Sequence, residues 1–442
     1  MTTGPAQRVP ARSPDILRAR ARALFSHVSV RGAGVLMLGS FVAQGLAALA
    51  MPALGRLFDP ADFGVLGLVQ ALALPLVAVA ALRYDVAILL PEREEDAARV
   101  TALALLSSLA TGLLTLGAVA LLRRPLAEWL GSPSLADWLW VCPAFVAVGG
   151  AHSAWSFWAT RCARFGGLAG ASASGSVATV AAQIGAGLLR TGAAGLVLGQ
   201  LFGRLLGWAA LVVSSPRPRP GRITPSALRR AASGYEDFPR WQVPAALLNH
   251  LTQHLPTYAL GAVFGEAAVG QWALAAMLLS VPTLLVSGAV RQVLLQRFGE
   301  LRRAGESLWP LARRVTLGLA AVGIPMAAVA ALAAPSAFEW ALGETWRPAG
   351  RLAQPIVLWQ LTALVNAPVA AAYPVLRLNR LIFGWQLVTV VGTGAAVTLG
   401  ARLDPTATVD AFCAATGAAN LVILALVLRA CALKGRDRGE AG

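Results

Sequence analysis

The chain has 442 residues, 57% hydrophobic and 13% charged, with a mean hydropathy of +0.65. Soluble globular domains carry about a quarter charged residues, so the composition excludes an ordinary water-soluble enzyme. A net charge of +16 and a pI near 11.3 would suggest nucleic acid in a soluble protein, but in a polytopic chain a basic excess marks the cytoplasmic loops.

Taken in chain order, a basic segment over residues 1–32 precedes apolar stretches at about 33–55, 64–82, 98–122, 137–159, 168–189 and 193–214, each bounded by Arg, Pro or acidic residues. Ala48-Leu49-Ala50 resembles a signal-peptidase site, yet the basic segment before it is about thirty residues long and the apolar run is too long for a signal peptide, so a retained first span is expected. The longest break, Pro- and Arg-rich, falls at 215–240 and reads as a cytoplasmic linker. Six further stretches follow at about 241–264, 267–290, 315–338, 352–375, 381–400 and 407–430, then a cytoplasmic tail at 431–442. The expected fold is an all-α polytopic membrane protein with about 12 transmembrane helices in two six-helix lobes, an N-lobe over 33–214 and a C-lobe over 241–430.

Lys and Arg distribute unevenly between the alternate sides of these spans. With the N-terminus inside, inside segments hold 29 of the 37 basic residues and outside segments hold seven; Arg204 falls within a span. This strong positive-inside bias places both termini in the cytoplasm and explains most of the charge as topology, so no nucleic-acid partner is expected. Trp138, Trp140, Trp241, Trp340 and Trp346 fall at expected span ends, where an amphipathic indole is favoured.

The two halves are weakly alike. Ala43-Gln44-Gly45-Leu46, Phe63-Gly64 and Pro75 recur in order as Thr252-Gln253-His254-Leu255, Val269-Gly270 and Pro282, and Arg83 and Arg291 follow the second span of each half. Six spans return the second copy to the same orientation, so the match reads either as a parallel repeat, a pattern of transporters with a site between lobes, or as chance similarity of small residues.

Ionisable groups at mid-membrane depth are costly and therefore informative. Arg204 lies about ten residues from either end of its span, roughly 15 Å of helix rise and too deep for easy snorkelling. Gln200, Arg204 and Trp208 form one stripe, and Gly195, Gly199, Gly203 and Gly207 the adjacent one, a repeated small-xxx-small surface. Two readings fit Arg204: an anion-binding group facing a cavity, or a structural group bound to backbone carbonyls. On the seventh span Asn249, His250, Gln253, His254 and Thr257 share one face, which must look into protein or water. The histidines fit neutral hydrogen bonding, proton coupling or anion contact. Other deep polar residues, among them Gln44, Gln183, Asn366, Gln386 and Asn420, read individually as interhelical hydrogen bonds.

No Asp or Glu falls in the middle of any span, although cation-coupled drug exporters normally need a membrane carboxylate. His250 and His254 have the spacing of a metal pair, but no HExxH glutamate or nearby carboxylate or Cys completes a site. Cys142, Cys162, Cys413 and Cys431 form no CxxC and match no zinc spacing. Neither a metal nor a cofactor is expected.

The segment Gly55-Arg56-Leu57-Phe58-Asp59-Pro60-Ala61-Asp62-Phe63-Gly64, followed by Arg83-Tyr84-Asp85-Val86-Ala87-Ile88-Leu89-Leu90-Pro91 and the acidic run Glu92, Glu94, Glu95 and Asp96, closely resembles the start of Wzx-type polysaccharide flippases of the multidrug/oligosaccharidyl-lipid/polysaccharide (MOP) exporter superfamily. Phe238-Pro239, Leu247-Leu248-Asn249, Gln253, Leu255-Pro256, Phe264-Gly265 and Gln292-Val293 resemble the second-lobe pattern. The resemblance covers about 33–300 and then fades into hydropathy. It implies a MATE-like fold in a bacterial inner membrane that moves a polyprenyl-pyrophosphate oligosaccharide outward, for lipopolysaccharide or other surface polysaccharide, beside membrane lipids and a polysaccharide polymerase machinery. A related peptidoglycan-precursor flippase type has two more helices.

On this basis Arg204 is expected to pair with pyrophosphate, Arg83 and Arg291 to assist loading, and Asn249, His250, Gln253 and His254 to contact sugars or carry protons, with Gln200 a further substrate-binding candidate beside Arg204. Two alternatives stand beside it: a multidrug exporter of the same superfamily, disfavoured by the missing carboxylates, and a polytopic glycan polymerase or ligase. An enzyme would call for a sizeable periplasmic loop, whereas the longest outside segments, 123–136 and 339–351, are short.

Overall fold

A computed structural model describes residues 14–219, 224–376 and 378–436. Every regular element among the described residues is helical. The first half contains α1 (Pro14–Leu57), α2 (Pro60–Val79), the short α3 (Tyr84–Ala87), α4 (Glu94–Trp129), the short α5 (Leu135–Trp138), α6 (Cys142–Arg161), α7 (Phe165–Leu188) and α8 (Ala193–Ser214). After α9 (Pro225–Gly234) come α10 (Val243–Phe264), α11 (Glu266–Ala304), α12 (Trp309–Leu342), α13 (Arg347–Val365), α14 (Ala367–Val375), α15 (Asn379–Gly400) and α16 (Pro405–Arg436).

The twelve apolar stretches correspond to α1, α2, α4, α6, α7, α8, α10, α11, α12, α13 with α14, α15 and α16. Ten candidate spans among the described residues are both long and apolar enough to cross a membrane; α7 and α10 are not among them. The reason is their composition: α7 is rich in Gly, Ala and Ser, and α10 carries Asn249, His250, Gln253 and His254. Such helices are tolerated at depth because other helices or a cavity cover their polar faces.

Several helices outrun their apolar stretches. α1 already runs from Pro14, α11 continues to Ala304 and α16 to Arg436, because a charged turn can stay helical in the interfacial region where hydropathy has ended. The 215–240 segment contains α9, which packs on α4; Ala231, Ala232, Tyr235 and Phe238 rest against the apolar cluster around Tyr84 and Trp158. Residues 1–13 and 437–442 lie outside the described part.

α2 is the central strut. In its apolar window 61% of the residues are buried, against 11% for α11 and α15, whose outer faces carry large exposed side chains such as Leu284, Val293 and Val391. Such an outer surface suits hydrocarbon. α2 packs on α6 and α8 of its own half and on α10 and α11 of the other.

The α2–α11 crossing is reciprocal. A Cβ on Gly64 would overlap the Glu266 carbonyl oxygen, and one on Gly270 would overlap that of Pro60. Each glycine thus meets the residue four positions before the other, as expected if the similar residues of the two halves occupy equivalent places. Around this crossing the chain seals one end of the molecule. Phe63 stands edge-on to Trp346 with ring centres 5.3 Å apart, and Trp346 Nε1–H donates to the Gly55 carbonyl at 2.7 Å. Arg56 donates to the Trp340 carbonyl at 3.2 Å; Ser132 and Ser134, from the turn after α4, donate to the Glu266 carboxylate. The whole Gly55–Gly64 segment therefore closes the lobes on one another.

Prolines inside the helices explain further contacts, since each leaves the carbonyl four residues earlier without its usual donor. Pro75 frees the Ala71 carbonyl, and Tyr258 of α10 donates its hydroxyl to it at 2.5 Å. Pro335 frees Ala331, which accepts from Gln354 Nε2 at 3.1 Å. Tyr258→Phe keeps the ring but leaves a buried carbonyl unpaired, so a loss of about 1–3 kcal/mol is expected as a lower unfolding temperature in detergent.

Candidate functional site

A cavity of about 770 Å³ lies between α1, α2, α6, α7 and α8 and is closed on one side by Ala273, Leu274 and Met277 of α11. Its polar groups are carboxamides, hydroxyls, His152 and Arg204; among the described residues no Asp or Glu lines it. It follows α1 from Ser40 to Leu54, beside the sealed end, a length of about 21 Å at 1.5 Å per residue.

Arg204 is carried into this space by the way α8 packs. Gly195, Gly199, Gly203 and Gly207 lie against α7: added Cβ atoms would meet Ala186, Gln183, Thr179 with the Gly175 carbonyl, and the Ala171 carbonyl respectively. Side chains on this stripe would force the helices apart, so glycines let α8 approach closely and turn its neighbouring stripe to the cavity. Gln200 and Arg204 both line it. The Arg204 guanidinium carbon sits 5.4 Å from the Phe145 ring centre, close to Gly149 of α6 and within electrostatic reach of His152.

Among the described residues, no carboxylate pairs with Arg204 and no acceptor receives a hydrogen bond from it. A guanidinium has five N–H donors in a planar fork, suited to carboxylate or phosphate. Held at depth without a counter-charge, it is poised for an anion. The backbone-carbonyl alternative would require donor contacts that the described structure does not contain.

The other expected site residues divide by location. Asn249 and Gln253 line a separate C-lobe pocket of about 300 Å³. His254 packs near Tyr258 of its own helix, with ring centres 6.4 Å apart; His250 lies within electrostatic reach of Arg83. Arg291 is exposed on α11 and lines neither cavity. Thus Arg204 and Gln200 come together, Asn249 and Gln253 come together elsewhere, and the rest stand apart from both.

Arg83 marks an unusual turn. The chain leaves α2 through Leu82 and Arg83 with φ of 49° and 62°, two consecutive side-chain-bearing residues in the left-handed region. Such conformations cost on the order of 1–3 kcal/mol each and persist only where neighbours impose them. Here the next residues are anchored: Tyr84 and Asp85 are buried, and Ser153 donates to the Asp85 carboxylate at 2.5 Å. The Arg83 Nε is buried without a hydrogen-bond partner.

Residues underweighted as mere interhelical hydrogen bonds turn out to line cavities. Gln44, Gln70, Ser153 and Ser156 face the Arg204 space, while Asn366, Gln386 and Asn420 face the C-lobe pocket. Gln183, Gln386 and Asn420 do both, each lining a cavity and donating to another helix: Gln183 to the Leu196 carbonyl at 3.0 Å, Gln386 to Asn249 and Asn420 to Thr362. Their joint confinement to particular spans was the available signal; the aromatic contribution of Tyr373 and Trp385 gave none.

Residues 53–351 match the family model described as "Polysaccharide biosynthesis protein". A comparison with curated proteins finds no match. Among solved structures, the chain is similar to the lipid II flippase MurJ in its inward closed conformation, with a TM-score of 0.71 and 12% identity over 89% of this chain and 87% of that one. It is also similar to an inward-facing multidrug resistance MATE family transporter of the MOP superfamily, with a TM-score of 0.63 and 14% identity over 89% and 96% of the two chains. A eukaryotic MATE transporter matches at a TM-score of 0.53 and 14% identity, over 94% and 98%. These likenesses establish the two-lobe helical fold. With about two thirds of its length inside the family model, this multi-pass membrane protein belongs to the polysaccharide biosynthesis protein family and shares the helical fold of MurJ and MATE transporters.

Proposed function

We propose that the protein is a flippase that moves a polyprenyl-pyrophosphate-linked oligosaccharide from the cytoplasmic to the outer leaflet of the bacterial inner membrane. The cargo would serve surface polysaccharide synthesis, whether O-antigen, capsule or exopolysaccharide, and a polymerase machinery would consume it. The carrying observation is the Arg204 guanidinium, unpaired among the described residues, in a cavity of about 770 Å³ that none of their carboxylates lines. A pyrophosphate supplies the missing negative charge, hydroxyl-rich sugars suit the surrounding carboxamides, and the polyprenyl tail stays in lipid.

Moving such a headgroup across a hydrocarbon core about 30 Å thick requires that the cavity face each side in turn. With both termini in the cytoplasm, as the positive-inside bias indicates, the sealed end is extracytoplasmic and the cavity loads from inside. Lipid fills the outer surface of the helices.

The test is reconstitution. Proteoliposomes are prepared with a polyprenyl-pyrophosphate saccharide, and a membrane-impermeant glycosidase is added outside. The protein should speed exposure of inner-leaflet sugar well above that of empty liposomes. Equal exposure with and without protein would refute the reading, and drug extrusion in its place would favour an exporter of MATE type.

A further inference from the structure

The C-lobe pocket is the counterpart of the Arg204 cavity in the other half of the chain. Gln44 on α1 lines one and Gln253 on α10, its match in the repeated sequence, lines the other. Arg204 lies twelve residues past Gly192, the cap of α8, and Thr416 lies twelve past Asp404, whose carboxylate accepts from Ala407 N–H at the start of α16. The same offset from the helix start thus carries a guanidinium on α8 and a hydroxyl on α16.

Among the described residues, no charged side chain of either sign lines the C-lobe pocket. Without a carboxylate it offers a cation no neutralising charge, and without Arg or Lys it offers none to an anion. What remains are carboxamides, hydroxyls and aromatic rings. Gln386 Nε2 donates to Asn249 Oδ1 at 3.1 Å and Asn420 Nδ2 to Thr362 Oγ1 at 3.1 Å, which spends one N–H of each amide and leaves the other. Asn366 Oδ1 is buried and has no hydrogen-bond partner. Asn366 caps the end of α13, where the chain gives way to α14 two residues before Pro368, which has no N–H to continue the helix. An unspent buried acceptor of this kind calls for an incoming donor. Trp385 and Tyr373 complete the lining.

We propose that this pocket binds one neutral sugar ring, with Asn366 accepting from a sugar hydroxyl and Trp385 or Tyr373 packing on the ring's C–H face. A ring presents an apolar face and a perimeter of hydroxyls, which matches aromatic walls rimmed by carboxamides. At about 30 Å³ per water-sized group, the volume of about 300 Å³ holds roughly ten such groups, a single ring rather than a chain of them. The inference rests on the flippase reading for the source of the sugar. The cargo's pyrophosphate and one of its sugars would then be recognised in different lobes.

The purified full-length protein in lipid nanodiscs provides the test. Saturation-transfer difference NMR reads binding of glucose, galactose, mannose and N-acetylglucosamine, and phosphorus line broadening reads inorganic pyrophosphate. At least one sugar should give a saturable signal that weakens tenfold or more in Asn366→Leu and in Gln386→Leu but persists in Arg204→Gln. Two separate substitutions guard against misfolding of either. No saturable signal from any of the four sugars, or a signal that survives both C-lobe substitutions, would overturn the proposal. Pyrophosphate broadening should vanish in Arg204→Gln and persist in Asn366→Leu. Failure of that arm alone counts against the anion reading and leaves the sugar pocket intact.

Discussion

Arg204→Ala is expected to reduce transport at least thirty-fold while leaving the protein folded and inserted. Losing one partner of a desolvated charge pair costs about 2–5 kcal/mol, and 2 kcal/mol already corresponds to about thirty-fold. Little structural loss should accompany it, because among the described residues Arg204 makes no hydrogen bond or ion pair that would be broken. Arg204→Lys keeps the charge but loses the planar fork and should retain partial activity. Complementation of a flippase-deletion strain, read as surface polysaccharide, separates these outcomes; full complementation by Arg204→Ala would remove the residue from the mechanism.

The second large effect concerns the crossing of α2 and α11. Gly64→Ala or Gly270→Ala places a Cβ on a backbone carbonyl oxygen that no side-chain rotation can move aside. The helices must part, at a cost of about 1–3 kcal/mol. Because the neighbouring contacts of Phe63, Trp346 and Glu266 lie in the same seal, its opening should be visible as faster hydrogen exchange at the first turns of both helices. Gly117→Ala is the control, since nothing lies near its added Cβ. Equal exchange in all three variants would show that the close crossing does not hold the seal.

These two regions differ in how far the sequence revealed them. Apolar stretches marked the long helices, although α7 and α10 are less apolar than the other spans because their faces are covered by protein or a cavity. Hydropathy failed for helix ends such as Ala304 and Arg436, where charged turns remain helical. Arg204 was legible because a lone cation at depth is costly, and its glycine stripe because small residues repeat every fourth position. The Gly55–Gly64 segment was recognisable as a family resemblance, but its physical role was not. Phe63 on Trp346 and Gly64 on Glu266 join residues about 200 or more positions apart, and no local pattern encodes which carbonyl a glycine will meet.

The division of the expected site residues has a similar cause. On one helix Asn249, His250, Gln253 and His254 form a single polar arc, so periodicity groups them. The structure distributes that arc over different neighbours: Asn249 and Gln253 toward α13–α16, His254 against Tyr258 and His250 toward Arg83. A wide polar face on a helix between two lobes serves more than one environment, and only the tertiary arrangement assigns them.

The central claim is that Arg204 and its cavity carry a lipid-linked saccharide out of the cytoplasmic leaflet. It is tested most directly by locating that intermediate in cells that lack the protein, using a membrane-impermeant glycosidase on spheroplasts and on inverted vesicles. The account predicts that the intermediate accumulates and is digested only in inverted vesicles, both in the deletion strain and in one carrying Arg204→Ala. Digestion in intact spheroplasts would contradict it, because the saccharide would then have crossed without this protein.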